Sequence, residues 1–146
     1  MLRTEISRKD LNNVLGKLDT LSKNMRKDVE FTINKHALRI ESDAKSRVVV
    51  DTGRLRSSIK TEKLGELGRT VYTNVKYAPY VEFGTKGKVE TEIMGQDYSE
   101  VAIQFKTSTD SIGGVRARPF LFPAFETERP RIIKALKNLV QRGGRL

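Results

Sequence analysis

The chain has 146 residues, with 28 Lys plus Arg against 18 Asp plus Glu, one His, no Cys and no Trp. That length fits a single domain, and 37% hydrophobic against 32% charged residues predicts a modest core under a heavily solvated exterior. Absent Cys excludes a disulfide framework, a thiolate nucleophile and a Cys-based zinc site; His36 alone supports neither a multi-histidine metal site nor a conventional triad; and no apolar run nears the roughly 20 residues that span a bilayer.

The net charge of +10 points to an acidic partner: nucleic acid, phospholipid or a negatively charged protein face. Six of those charges lie in the last eighteen residues, as Arg129, Arg131, Lys134, Lys137, Arg142 and Arg145, with no acid among them. Residues 7–45 carry nine basic and six acidic residues instead, the mixed pattern of a solvated helix face. Residues 1–5 have no apolar stretch behind their charge, so no secretory signal is expected and synthesis in a cytoplasm is the default.

Ser7 followed by Asp10 reads as a helix N-cap with an acid facing the positive end of the helix dipole. Leu11, Leu15, Leu18, Ser22, Met25, Val29, Ile33, Ala37, Ile40 and Ala44 then recur at spacings of three and four, which predicts one amphipathic helix occupying most of residues 1–47. At 1.5 Å per residue it would run roughly 55 to 60 Å, long for a globule of about 15 Å radius of gyration. It therefore either bends or packs on another subunit, and a helix lying on its own sheet is the plainer expectation.

Residues 48–85 hold a turn, a hairpin and an aromatic segment. The β-branched Val48-Val49-Val50 ends the helical preference. Asp51 is positioned to cap a short turn through Arg54-Leu55-Arg56-Ser57-Ser58. Residues 59–64 and 69–75 read as strands joined by Gly65-Glu66-Leu67-Gly68, with Val71, Thr73 and Val75 on one face of the second. In Tyr77-Ala78-Pro79-Tyr80-Val81-Glu82-Phe83, Pro79 suits the start of a short helix that Gly84 would stop.

Residues 86–116 mix strand and helix spacings around four glycines and predict a long loop or hairpin excursion. Residues 117–146 supply the closing helix and basic tail: Ile132, Ile133, Leu136, Leu139 and Val140 have helical period, and Gly143-Gly144 ends it. Pro130 lies inside this span and predicts a break or kink near Arg129. The whole is an α+β single domain, residues 1–146, with the two helices packed on a small antiparallel sheet.

Val49-Val50-Asp51-Thr52-Gly53 matches the aspartic-protease signature of an apolar pair before Asp-Thr-Gly. In a homodimeric enzyme of that type two such loops pack tightly and share a proton. Arg54 stands where a small residue is needed, and an unpaired guanidinium buried there would cost several kcal/mol. The upstream helix also conflicts with an all-β protease fold. No Gly-rich loop has Walker spacing, Glu90, Glu92, Asp97 and Glu100 match no calcium loop, and His36 reads as a partly buried or surface residue. The sequence thus implies no cofactor, metal or small-molecule ligand and no membrane span. Nucleic-acid binding fits the charge, but the aromatics are not interleaved with basic residues as stacking platforms usually are.

Three stretches, taken in order, resemble the tail-component or tail-completion family of long-tailed double-stranded DNA bacteriophages. They are Asp51-Thr52-Gly53-Arg54-Leu55-Arg56-Ser57-Ser58-Ile59, Tyr77-Ala78-Pro79-Tyr80-Val81-Glu82-Phe83-Gly84-Thr85, and Ala117-Arg118-Pro119-Phe120-Leu121-Phe122-Pro123-Ala124. The resemblance implies a non-enzymatic virion protein of the neck, where head and tail join. It further implies a ring with the tail's sixfold symmetry and contacts with neighbouring neck and tail proteins; the basic charge supplies the alternative, a DNA-associated protein of the same virion in non-specific contact with double-stranded DNA. Residues 86–116 depart from the family pattern by their length.

Head-to-tail closure needs two unlike faces on each subunit. Asp51, Gly53, Arg54, Tyr77, Pro79, Tyr80, Glu82, Phe83, Gly84, Arg118, Pro119, Phe120 and Pro123 are the candidate motif or interface residues, with Arg54 and Glu82 a candidate charge pair. Exposure of Tyr77, Tyr80 and Phe120 would favour the interface role over a purely internal one. The six basic residues from Arg129 to Arg145 are candidate contacts for an acidic partner. Because a conduit should not grip DNA tightly, an acidic protein face is preferred there.

Overall fold

A computed structural model describes residues 2–5, 12, 23–49, 53–85, 114 and 116–143. Their elements, in chain order, are β1 (Leu2–Glu5), α1 (Lys23–Arg47), α2 (Arg54–Ser58), β2 (Lys60–Leu64), β3 (Gly68–Thr73), α3 (Ala78–Phe83) and α4 (Leu121–Gly143). The class is α+β, as the sequence predicts. α1 and α4 pack against each other, and α1 also covers the sheet.

The inner face of α1 is the predicted seam: Val29, Ile33, Ala37, Ile40 and Ala44 are buried, with Met25 half-buried. Burying each branched side chain contributes roughly 1.5 to 3 kcal/mol. Small Ala37 and Ala44 let neighbouring elements approach. Lys45 bonds Glu41, and Arg47 takes Asp43 in a fork of two 3.0 Å bonds, which places cations at the negative end of the helix. The helix stops at Arg47, where the Val48 N–H still reaches the Ala44 carbonyl at 3.2 Å before the β-branched run turns away.

A strand precedes the helix expected from Ser7 within residues 1–47. Leu2–Glu5 is a strand, antiparallel to β3 with Leu2 opposite Thr73 and Glu5 opposite Thr70. Four residues are too few for a periodic signal, and a partner some 70 residues away fixes their conformation. Asn12 is helical; the proposed cap at Ser7 and Asp10 and the seam residues Leu11, Leu15, Leu18 and Ser22 lie outside the described residues.

The sheet order is β1-β3-β2, all antiparallel. Central β3 buries Thr70, Val71 and Thr73, whereas edge strand β2 is largely exposed. Arg69 fixes this hairpin to α1. Its guanidinium bonds Asn34 Oδ1 at 2.9 Å and Glu30 Oε1 at 3.0 Å, and Lys63 reaches the same Glu30 oxygen at 3.0 Å. Hydrogen bonds from Lys63 and Arg69 hold the Glu30 carboxyl below its ordinary value.

Pro130 does not break the last helix, which continues from Leu121 to Gly143. Proline withholds one N–H and crowds the carbonyl four residues back, at a cost of about 3 kcal/mol. Here it sits on the exposed side, while Leu121, Ala124, Glu128, Ile132 and Leu136 keep one buried face on both sides of it. Packing of Ile132 and Leu136 offsets the local defect, a tertiary term that local propensity does not contain.

Candidate functional site

The second and third motifs meet at a buried carboxylate. α3 is one short turn with Pro79 in its first two positions, and Gly84 closes it by donating its N–H to the Tyr80 carbonyl at 2.9 Å. Gly84 has φ 67° and ψ 177°, a region open to glycine and costly for other residues. The inner face buries Ala78, Pro79, Glu82 and Phe83; Tyr77 and Tyr80 are 41% and 47% exposed.

Glu82 is fully buried. Its Oε2 accepts the N–H groups of Phe120 at 2.8 Å and Leu121 at 3.0 Å, and its Oε1 accepts that of Phe122 at 2.9 Å. The first N–H groups of a helix have no partner within it. Arg118-Pro119-Phe120 offers no Ser, Thr, Asp or Asn to cap α4, so Glu82 performs the capping from 38 residues upstream of Phe120. A carboxylate also suits the positive end of the helix dipole. The Arg118 N–H donates to the Val81 carbonyl at 2.8 Å, a second bond across the same joint.

Within one chain, this arrangement stands in place of an Arg54–Glu82 charge pair. Arg54 is exposed and no ion pair joins it to Glu82 among the described residues; three backbone N–H donors converge on the carboxylate instead. Asp51 lies outside the described residues, and the residue at the cap position of α2 is Gly53, at φ 73° with no side-chain cap bond. Phe83 and Phe120 are core residues, so Phe120 does not share the exposure of Tyr77 and Tyr80. Pro119 and Pro123 are half-buried.

Of the basic candidates, Arg131 binds Glu128 Oε1 at 2.6 Å and Arg129 lies 3.7 Å from Glu126, so both have acids within their own helix. Lys134, Lys137 and Arg142 are exposed and form no ion pair among the described residues; Arg145 lies outside them.

His36 is buried deeper than its sequence context suggested. Its Nδ1 is 2.7 Å from Glu128 Oε2, tying α1 to α4 through the interior. Burial pushes the Glu128 carboxyl up, but hydrogen bonds with His36 and Arg131 outweigh it and leave the group below its ordinary value. Both side chains are enclosed, so the pair braces two helices and is closed to a substrate. Among the described residues no cluster of His, Asp or Glu could hold a metal ion, and no helix is long and apolar enough to cross a membrane.

Periodicity also passed over Phe31 and Leu38, which are 70% and 51% exposed on the side of α1 away from the seam. Their seven-residue separation is the available signal, since it places two large apolar residues on one off-seam stripe.

The family model described as "Bacteriophage HK97-gp10, putative tail-component" matches residues 12–84, half of the chain. That span includes the first motif and almost all of the second, while the third lies beyond it and joins through the Glu82 cap. No curated protein and no solved structure matches the chain.

Proposed function

Because the chain belongs to the HK97-gp10-like family of bacteriophage tail components, we propose that it is a non-enzymatic, ring-forming subunit of the phage neck that completes the tail or joins it to the head. A tail component is a structural protein of the virion and interacts with other tail proteins. The sixfold ring and the station at the neck are the steps this reading adds.

The observation that carries it is the construction of α3. Its inner face is fixed by the Glu82 cap and its outer face presents Tyr77 and Tyr80 to solvent. Rigid exposed tyrosines are typical of interface cores, since they contribute large contact area at small entropic cost. Nothing about Glu82 suits catalysis: its oxygens face three backbone donors in the interior. The Asp-Thr-Gly motif leads directly into helix α2, a setting that favours a structural turn over a protease loop.

Electron microscopy of isolated tails, with the protein located by a tag or antibody, tests this reading. A ring at the head-proximal end is expected; absence of the protein from particles would sink it.

A second reading rests on Lys134, Lys137 and Arg142, whose exposed charges suit an acidic protein face or DNA passing through the neck. Truncation at Arg129 is a poor test because it also removes Ile132 and Leu136 from the core. Replacing the three exposed cations with Gln should leave the core intact. DNA binding that is salt-sensitive and lost in this variant would favour the nucleic-acid partner.

A further inference from the structure

Phe31 and Leu38 stand two turns apart on the outer face of α1, about 10 Å apart along its axis. Exposed Lys27, Lys35 and Arg39 surround them, with Asp28 the one exposed acid nearby on that helix. Phe31 is the most exposed large hydrophobic residue among those described. Within one chain, then, this stripe combines uncovered apolar surface with positive charge.

An identical face of a second copy is a poor occupant, because the three cations would confront their own counterparts. The chain carries an opposite composition elsewhere. Residues 89–105 contain Glu90, Glu92, Asp97 and Glu100 and no Lys or Arg, interleaved with Val89, Ile93, Met94, Tyr98, Val101, Ile103 and Phe105. In a protein of net charge +10, this is a local surplus of four negative charges within seventeen residues. These residues lie outside the described set, and their sequence alone carries the complementarity.

We propose that the Phe31–Leu38 stripe of α1 is a docking surface for residues 89–105 of a second copy of the chain. The contact joins unlike surfaces, as closure of a cyclic assembly requires. It rests on the ring reading above and names the two surfaces that would meet. Apolar side chains of the segment cover Phe31 and Leu38, and its carboxylates meet Lys27, Lys35 and Arg39. Charge then sets the pairing: it favours the acidic segment and disfavours the stripe's own copy.

The chain has no Cys, so the introduced thiols are the only ones it contributes, and a blot against this protein reads its own crosslinks. Leu38→Cys is combined in turn with Ile93→Cys, Tyr98→Cys and Val101→Cys, and assembled particles are oxidised and run on a non-reducing gel. At least one pairing is expected to give a ladder of covalent multimers, whereas each single variant gives dimers at most. A fast-migrating monomer would mean that the segment covers its own chain's stripe, and unchanged monomer in every pairing would mean no contact; either overturns the proposal.

The double variant Phe31→Asp/Leu38→Asp provides an independent readout. Both positions are exposed, so its circular dichroism and melting should match the parent, while incorporation into particles falls at least tenfold. Undiminished incorporation overturns the docking surface and leaves the ring standing. Absence of the parent protein from particles sinks both readings.

Discussion

Glu82→Ala removes one acceptor group and leaves three backbone donors, those of Phe120, Leu121 and Phe122, facing the space it occupied. Hydrogen bonds to a charged group contribute roughly 1.5 to 3 kcal/mol each, and an unsatisfied buried donor costs about 1 to 3 kcal/mol. These terms overlap, and water can enter the cavity to recover part of the loss, so about 4 kcal/mol is expected. At about 2 to 4 °C per kcal/mol for a domain of this size, melting should fall by roughly 10 °C. Glu82→Gln keeps one oxygen but turns an amide NH₂ toward backbone N–H groups, so roughly half the loss is expected. Urea unfolding followed by far-ultraviolet circular dichroism measures both. If Glu82→Ala unfolds within about 0.5 kcal/mol of the parent, the cap is not what holds α4 to α3, and the account of the joint fails.

Gly84→Ala should cost about 1 to 3 kcal/mol in the same assay, because a Cβ is strained at φ 67° whatever space surrounds it. Phe120→Ala should cost about 3 to 5 kcal/mol as a core truncation. Tyr77→Ala and Tyr80→Ala should each change stability by under about 1 kcal/mol yet impair particle assembly, so comparing melting with complementation separates core from contact surface. His36→Leu should destabilise by about 1 to 3 kcal/mol by leaving the buried Glu128 Oε2 without its partner while Arg131 keeps Oε1, and adding Glu128→Leu should recover part of that loss, as a double-mutant cycle would show. The Glu128 carboxyl is held below its ordinary value of 4.5, so its contribution is fully present above about that pH and is lost as pH falls through the folded value. An acid titration of stability should therefore be shallower below pH 4.5 in Glu128→Gln than in the parent; equal slopes would remove Glu128 from the pH response.

The joint at Glu82 gives a physical reason for two motifs to occur together in one chain. Tyr77-Ala78-Pro79-Tyr80-Val81-Glu82 makes a turn that aims a carboxylate inward, and Arg118-Pro119-Phe120-Leu121 begins a helix with no cap of its own. Each completes the other's hydrogen bonding. Residues 86–116 can then vary in length without disturbing the joint, since closing a longer loop adds only about 0.6 kcal/mol per doubling.

The sequence by itself determined the elements whose signals are local. Three-four spacing marked the buried face of α1 through Val29, Ile33, Ala37, Ile40 and Ala44; glycine-bounded alternation marked the hairpin; and Pro79 with Gly84 marked α3. It also carried the family, because the motifs are contiguous strings. Only the tertiary structure decided what depends on residues far apart in the chain: β1 as a strand paired with β3, Glu82 as a cap rather than the partner of Arg54, and His36 against Glu128. Pro130 belongs with these, since a helix crosses it when the packing of one face outweighs one missing hydrogen bond. Local rules price a residue against its neighbours in sequence, whereas burial and hydrogen-bond satisfaction are settled among neighbours in space.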